Sequence, residues 1–218
     1  MTAGYKKSDA IRTRLLDTAE ELFAQRGYFG VSVRDITDQA DVRNASVNYH
    51  FESKEKLFMA VIDRRIEPLA QIRTERLEAA DIDPAHPESS ARQIAEAFAG
   101  PMLDFAGGDS PGWKNYCVLI AHLAVQKVWT DNVVSRKYDV HAHKFIEALC
   151  STFPHAASYQ IHCCFQFLLS TTLYAVCDNK RLDTLSGGAF QSVDVKRLKE
   201  PFLNFVSAGI VAAAKQKA

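Results

Sequence analysis

The chain has no excess of charge, no long apolar run and no signal-like N-terminus, and each absence excludes a class of protein. Its 218 residues carry 26 Lys and Arg against 26 Asp and Glu, which excludes a polyanion binder that acts through overall charge. No apolar run reaches the roughly eighteen residues that a membrane span needs. The opening residues MTAGYKKSDAIRTR contain no apolar export segment. We therefore expect a cytoplasmic protein with no membrane role.

Enzyme and metal motifs are also absent. The sequence has no Gly-rich phosphate loop, no GxSxG and no HExxH, so we expect no enzyme activity and no cofactor. Five cysteines form no CxxC pair, and His141 and His143 stand too close in sequence to share one helix face. We predict no metal site and a mostly buried thiol set. A redox-sensing thiol at Cys163 or Cys164 is the alternative.

Apolar residues recur every three to four positions along nearly the whole chain, and no strand-like alternation is long enough to indicate a sheet. The sequence therefore predicts an all-α fold. Pro68 predicts a kink or a break in the fourth helix. The predicted helices cover 8–27, a segment that follows the cap Ser32, a short segment from Arg43 or Asn44, and 54–79, 91–106, 115–129, 133–152, 156–178 and 194–215; loops are expected at 80–90, 107–112 and 178–188.

Residues 32–51, SVRDITDQADVRNASVNYHF, predict two short helices joined by a tight turn. Ile36 and Ala40 are four residues apart on the first helix, and Val47 and Phe51 repeat this spacing on the second. These apolar pairs would fix the crossing of the two helices. The outer face of the second helix is polar, as expected of a helix that enters the DNA major groove. The stretch is a predicted helix-turn-helix.

The segments FAQRGYFGVSVRDIT and QADVRNASVNYHFESKEKLF closely resemble the TetR family of bacterial transcriptional regulators. The resemblance covers about residues 8–60, and the joint spacing of its motif residues is specific. Two positions depart from the family pattern. Asp41 stands where the family usually has glycine, and Asn48 where it often has an aromatic residue.

The resemblance and the side-chain chemistry together predict the DNA contacts. Ser32 and Lys54 are expected at phosphates, and Tyr49 and His50 at the DNA backbone. Each residue also has an alternative role: Asn44 as a helix cap, Ser46 as a packing residue, and Tyr49 as part of the core. The residues expected to face the groove are Arg43, Asn44, Ser46 and Asn48.

The remainder of the chain is expected to bind an effector and to form a homodimer. We assign residues 1–55 to a DNA-binding domain with three helices and residues 56–218 to a larger helical domain. Segments 156–178 and 194–215 are expected to pair with their symmetry copies. The second segment carries an apolar stripe of Leu198, Phe202, Phe205, Val206 and Ile210. Dimerisation would place two recognition helices on a palindromic double-stranded DNA operator.

RLDTLSGG and the final helix ending in FVSAGI resemble a TetR subgroup that includes repressors responsive to fatty acids and acyl-CoA. This resemblance implies an apolar or amphipathic small-molecule effector. The residues predicted to line its pocket are Phe98, Met102, Phe105, Trp113, Leu119, His122, Leu123, Phe145, Phe165 and Leu169.

The sequence thus predicts a dimeric repressor that a small effector releases from DNA. An activator of the same family is equally compatible with these residues. The alternative from another class is a helical ligand-binding or signalling module that has lost sequence-specific DNA binding.

Overall fold

The computed structural model describes residues 3–126, 135–177 and 179–215, and side chains from residue 8 onward except at 135 and 136. Across these ranges the chain is helical, with no strand, as the sequence predicts. The helices are α1 (Ala3–Arg26), α2 (Val33–Gln39), α3 (Ala45–Phe51), α4 (Lys54–Glu78), α5 (Pro87–Ala106), α6 (Pro111–Ala124), α7 (Ser135–Thr152), α8 (Ser158–Val176), α9 (Arg181–Leu185) and α10 (Val195–Ala214).

Prolines account for three differences from the predicted boundaries. Helix α4 continues through Pro68, so the expected break is absent. Helices α5 and α6 begin earlier than predicted, because Pro87 and Pro111 each occupy the start of their helix. Proline suits a first helical position, since its missing N–H would have no partner there and its φ is already helical.

Two further predictions differ from the structure or lie outside it. The five-residue helix α9 lies inside the connection predicted at 178–188. Its single turn is too short to produce a repeating apolar pattern. Residues 127–129, at the end of the predicted helix 115–129, and residues 133–134, at the start of the predicted helix 133–152, lie outside the described residues. Among the helices described, none is long and apolar enough to span a bilayer.

Helices α1, α2 and α3 pack on each other, and α3 also packs on the start of α4. Gly27 follows α1 with a φ of +68°, a left-handed conformation that ends the helix without steric cost. Ser32 caps α2 in a reciprocal capping box with Asp35. The predicted apolar pairs of α2 and α3 are all buried: Ile36, Ala40, Val47 and Phe51.

Helix α5 is the centre of the larger part of the molecule. It packs against α4, α6, α7, α8 and α10. A helix with neighbours on so many sides must be apolar around most of its circumference. Its buried residues meet that requirement, including Ala91, Ile94, Ala95, Ala97, Phe98, Ala99, Met102 and Leu103.

A buried carboxylate joins α1 to the larger part of the molecule. Glu20 is 1% exposed and accepts hydrogen bonds from Arg64 Nη2 (2.6 Å), Arg65 Nε (2.9 Å) and Arg65 Nη2 (2.8 Å). These hydrogen bonds raise the pKa of Arg65. The Arg65 guanidinium also lies 4.8 Å from the centroid of the Trp113 ring on α6. One ionic cluster therefore connects α1, α4 and α6.

The fit around this cluster is close. A Cβ atom at Gly112 would lie 2.2 Å from Arg65 Nη2 and 2.8 Å from Glu20 Oε2, so a larger residue there requires the cluster to move. The Trp113 ring, which contacts Arg65 on α4, also stacks on Phe105 of α5. The ring centroids are 3.9 Å apart and the interplanar angle is 7°. The C-terminal part of α5 is thereby tied to the same point.

Replacing Glu20 with glutamine should destabilise the protein by about 3 kcal/mol, because two largely buried guanidinium groups lose their shared carboxylate. Urea unfolding measures the change. Glu67→Gln, at an exposed position on α4, is the matched control and should change stability by less than about 0.5 kcal/mol. Equal stability of the two variants would contradict a structural role for the cluster.

Candidate nucleic-acid interface and effector cavity

Helix α3 is divided into a buried and an exposed face. Val47 and Phe51 point inward and are buried, as the predicted apolar pair requires. Tyr49 is 79% exposed, which excludes the core alternative for this residue. Asn48 is exposed as well, and Arg43, in the turn before α3, is also exposed. The side chains that remain outside are those that a groove-binding helix requires.

Asn44 occupies the N-cap position of α3, but its side chain makes no capping hydrogen bond. The capping alternative is therefore not realised in this structure. Its exposed amide retains both a donor and an acceptor, the pair that can read the edge of an adenine.

His50 and Ser46 are only half-buried, between the two faces of α3. The His50 ring meets the Tyr49 ring edge-on, with centroids 4.9 Å apart. This contact restricts the orientation of the exposed phenol. The geometry thus leaves Ser46 and His50 reachable from outside, though less fully than Asn44, Asn48 and Tyr49.

Ser32 has structural hydrogen bonds of its own. Its hydroxyl donates to the Asp35 carboxylate at 2.6 Å and accepts from the Asp35 backbone N–H at 3.1 Å. Its backbone N–H donates to the same carboxylate at 2.7 Å. These hydrogen bonds lower the pKa of Asp35. A phosphate at Ser32 would share the hydroxyl with this capping box.

Lys54 fastens the loop after α1 to the start of α4. Its ammonium donates to the carbonyls of Tyr28 (2.8 Å) and Val31 (2.6 Å) and lies 4.1 Å from the centroid of the Tyr28 ring. Partial burial lowers the pKa of this ammonium. An ammonium has three N–H groups, so one is left for a phosphate. Sequence reasoning did not foresee the structural contacts.

Asp41 adopts a left-handed conformation in the turn between α2 and α3, with a φ of +50°. This explains why glycine suits the position: glycine has no Cβ to clash in this region. The Asp41 side chain is exposed, and its carbonyl accepts a long hydrogen bond of 3.5 Å from Arg14 on α1.

Asp41→Gly and Asp41→Ala should differ in stability by about 1 kcal/mol, with the glycine variant the more stable, because only glycine adopts the left-handed conformation freely. Thermal or urea unfolding of both variants measures the difference. Equal stabilities would mean that the turn does not hold residue 41 at positive φ.

A cavity of about 320 Å³ lies between α4, α5, α6, α7 and α8. Its wall is mostly apolar, with aromatic rings packed edge-on: the Phe98 centroid is 5.1 Å from that of Phe145 and 5.2 Å from that of Phe165. Five of the ten predicted pocket residues line it, namely Phe98, Met102, Phe145, Phe165 and Leu169.

The other five predicted pocket residues lie away from this cavity. Phe105 and Trp113 stack on each other beside the Glu20 cluster. Leu119 and Leu123 are buried in the general core, and His122 is exposed on α6. The sequence pattern marked α6 as apolar, but only the crossing of α6 over its neighbours decides which of its faces meets the cavity.

Polar groups of the cavity were missed at the sequence level. Arg73 is buried, and its Nε donates to the Phe98 carbonyl at 2.8 Å. Burial lowers the pKa of this guanidinium to about 10, so it remains protonated at neutral pH. The Tyr116 and Tyr138 hydroxyls, 2.8 Å apart, lie on the same wall. A signal was available, because Arg73 interrupts the apolar series Ile62, Ile66, Leu69 on α4.

The outer face of α8 and α10 carries large exposed apolar side chains. Tyr159, Phe167 and Tyr174 project from α8, and Phe205, which is 74% exposed, projects from α10. Of the apolar stripe predicted on this pairing segment, Phe205 is exposed. The prediction was wrong for the other four residues, because Phe202, Val206 and Ile210 are buried and Leu198 is partly buried. Helix α10 turns that side toward α5 and α8 within the same chain.

Within the described residues, no three His, Cys, Asp or Glu side chains come together as a metal site. The expectation of buried thiols holds for Cys117 and Cys164 only. Cys163 and Cys177 are half-buried, and Cys150 is exposed. The alternation of Cys163 and Cys164 between outside and inside follows from their adjacency on one helix.

Two family models match this chain. The model for bacterial regulatory proteins of the tetR family matches residues 15–61, which contain the helix-turn-helix. The model for the tetracyclin repressor-like C-terminal domain matches residues 96–209, more than half of the chain. The chain belongs to the TetR family. Its N-terminal part is thus a DNA-binding domain of the kind found in bacterial transcriptional regulators.

Among characterised proteins, the chain is similar to the transcriptional activator FasR of Mycolicibacterium smegmatis, with 29% identity over 62% of this chain and 64% of FasR. It is also similar to the repressor DhaR of a Mycobacterium species (35% identity, 52% of this chain, 54% of DhaR). With the repressor KstR2 of Rhodococcus jostii it shares 50% identity over 21% of this chain and 22% of KstR2. The matches thus span less than two thirds of the length of these relatives.

Solved structures share the fold over most of the chain. The fatty acid degradation regulator FadR of Bacillus halodurans aligns with a TM-score of 0.66 at 13% identity, covering 91% of this chain and 95% of that one. GusR of Salmonella enterica aligns with a TM-score of 0.60 at 18% identity, covering 94% and 96%. At these identities the likeness concerns the fold alone.

Proposed function

We propose that this protein is a dimeric, ligand-responsive repressor that binds a palindromic operator and is released from it by a small apolar or amphipathic effector. The observation that carries the proposal is the pairing of two sites in one chain. An exposed polar recognition helix stands at one end and a largely apolar cavity at the other. Helix α4 takes part in both, since it packs on α3 and lines the cavity.

The DNA-binding part of the proposal rests on the exposed face of α3. Asn44, Asn48 and Arg43 would face the base edges, and Tyr49 would reach the backbone. Since the chain has zero net charge, affinity must come from a few placed contacts instead of a general attraction. The half-buried Ser46 and His50, and Ser32 and Lys54 at the helix starts, complete the proposed set.

Tyr49→Phe should weaken binding to all DNA sequences about equally, by roughly fivefold to tenfold for each half-site, because it removes one hydrogen bond to the DNA backbone. Asn44→Ala should instead relax the preference at particular base pairs. Fluorescence anisotropy on an operator selected from a random duplex library, and on single-base variants of it, separates the two effects.

The control is Phe29→Tyr, which adds a hydroxyl to an exposed ring outside α3. Weak affinity of the unaltered protein for every duplex would support the alternative of a ligand-binding module without sequence-specific DNA binding. Unchanged affinity in both α3 variants would show that the recognition surface lies elsewhere.

The dimer part of the proposal rests on the exposed face of α8 and α10. Tyr174 and Phe167 on α8 and Phe205 on α10 form apolar surface on two helices that pack side by side. A contiguous apolar surface of this kind is typical of a protein interface. A second copy related by a twofold axis would cover it with the same residues, giving a four-helix contact.

Phe205→Glu should convert the dimer to a monomer, because it places a charge in the centre of the proposed interface. Val140→Glu, at an exposed position on α7, is the matched control and should leave the dimer intact. Light scattering after size-exclusion chromatography gives both masses. A dimer that survives Phe205→Glu would move the interface to another face.

Activation is the second candidate for the direction of control, and the similarity to FasR, which is named an activator, favours it. Repression is preferred because DhaR and KstR2 are named repressors. Transcription from a promoter carrying the selected operator, with and without the protein, distinguishes the two.

A further inference from the structure

The cavity contains a buried cation without a counter-ion. Arg73 lies on the cavity wall, and no described carboxylate forms an ion pair with it. Its Nε is satisfied by the Phe98 carbonyl, whereas its Nη2 is buried and has no hydrogen-bond partner. A buried charged group with an unpartnered donor atom is costly, so its retention on a largely apolar wall calls for a ligand.

Other donors on the same wall are also incompletely used. The Tyr116 and Tyr138 hydroxyls bond to each other, and one such bond uses one of their two O–H groups, leaving the other as a donor. His141 Nδ1 is buried without a partner on the same cavity. Tyr116 and Tyr138 are close enough to Arg73 to raise its pKa, against the larger lowering by burial. Asp139 also lines the cavity, but it is exposed on α7 and forms no ion pair with Arg73. Arg73 and the free tyrosine O–H are therefore the buried donors of the cavity, and they carry a positive charge.

The size of the cavity limits the ligand. At about 30 Å³ for each water-sized group, 320 Å³ holds roughly ten non-hydrogen atoms. The nucleotide of an acyl-CoA is several times larger than this and would have to stay outside the cavity. The Phe98, Phe145 and Phe165 rings provide an apolar wall for the rest of the ligand.

We propose that the effector is a small free carboxylic acid whose carboxylate pairs with Arg73 Nη2 and accepts a hydrogen bond from the Tyr116–Tyr138 pair, while its apolar body packs on the phenylalanine rings. This inference rests on the proposed effector cavity and narrows the ligand to one chemical class. It excludes a cationic effector, which Arg73 would repel. An intact CoA thioester has no free carboxylate for Arg73, so it should bind more weakly than the free acid.

Octanoate, octanamide and octanoyl-CoA test the proposal on the unaltered protein by isothermal titration calorimetry. Octanoate should bind at least tenfold more tightly than octanamide, which has nearly the same shape but no charge. Octanoyl-CoA should bind more weakly than octanoate. Octanamide or octanoyl-CoA binding as tightly as octanoate would overturn the proposal, as would the absence of any octanoate binding at millimolar concentration.

Arg73→Met should abolish the preference for octanoate over octanamide. Arg76→Met, one turn further along α4, is the control, because Arg76 forms its ion pairs with Glu96 and Asp104 and does not line the cavity. It should keep the preference. A preference that survives Arg73→Met would overturn the proposal. If Arg73→Met does not fold, the comparison of the three ligands on the unaltered protein still decides.

DNA binding is measured separately, so the two hypotheses can fail independently. Operator binding without any octanoate binding would leave the regulator proposal intact and overturn the proposal of a carboxylic-acid effector. Octanoate binding that depends on Arg73, in a protein with no sequence-specific DNA affinity, would support the proposal of a carboxylic-acid effector and contradict the proposal that the protein is a repressor.

Discussion

The ionic cluster around Glu20 is the constraint on which the relation between the two parts of the molecule depends. A carboxylate on α1 is held by two arginines of α4, and one of these arginines contacts Trp113 on α6. A buried ion pair of this kind tolerates little displacement, because moving any partner leaves a charge unpaired. The orientation of α1, and with it the position of α2 and α3, is therefore linked to α4 and α6.

This link suggests how ligand binding in the cavity would affect the DNA-binding end. Helices α4 and α6 both line the cavity and both hold the cluster. A ligand that favours one spacing of these helices biases the position of α1 through Glu20, which is the requirement for coupling between two sites. The coupling needs no long chain of contacts, since Arg73 and Arg65 stand about two turns apart on the same helix.

The DNA-binding end could be predicted almost residue by residue, because helix periodicity within a short local motif decides which side chains are outside. Val47 and Phe51 are buried and Tyr49 is exposed, as their spacing implies. The additional role of Lys54 could not be predicted, since its carbonyl partners lie 23 and 26 residues away in sequence. Asp41 is the opposite case. Its departure from the family pattern was visible in the sequence, and the positive φ in the structure explains why glycine is usual at this position.

The sequence by itself determined the helical fold, the helix-turn-helix and the apolar character of the later helices, because these follow from local spacing and residue type. The tertiary structure decided which apolar residues became core, cavity wall or exposed face. Phe202 and Phe205 lie three residues apart on one helix, and one is buried while the other is exposed. Only the packing of neighbouring helices distinguishes them. The same packing placed Arg73 at a cavity wall, on which the proposed carboxylate site depends.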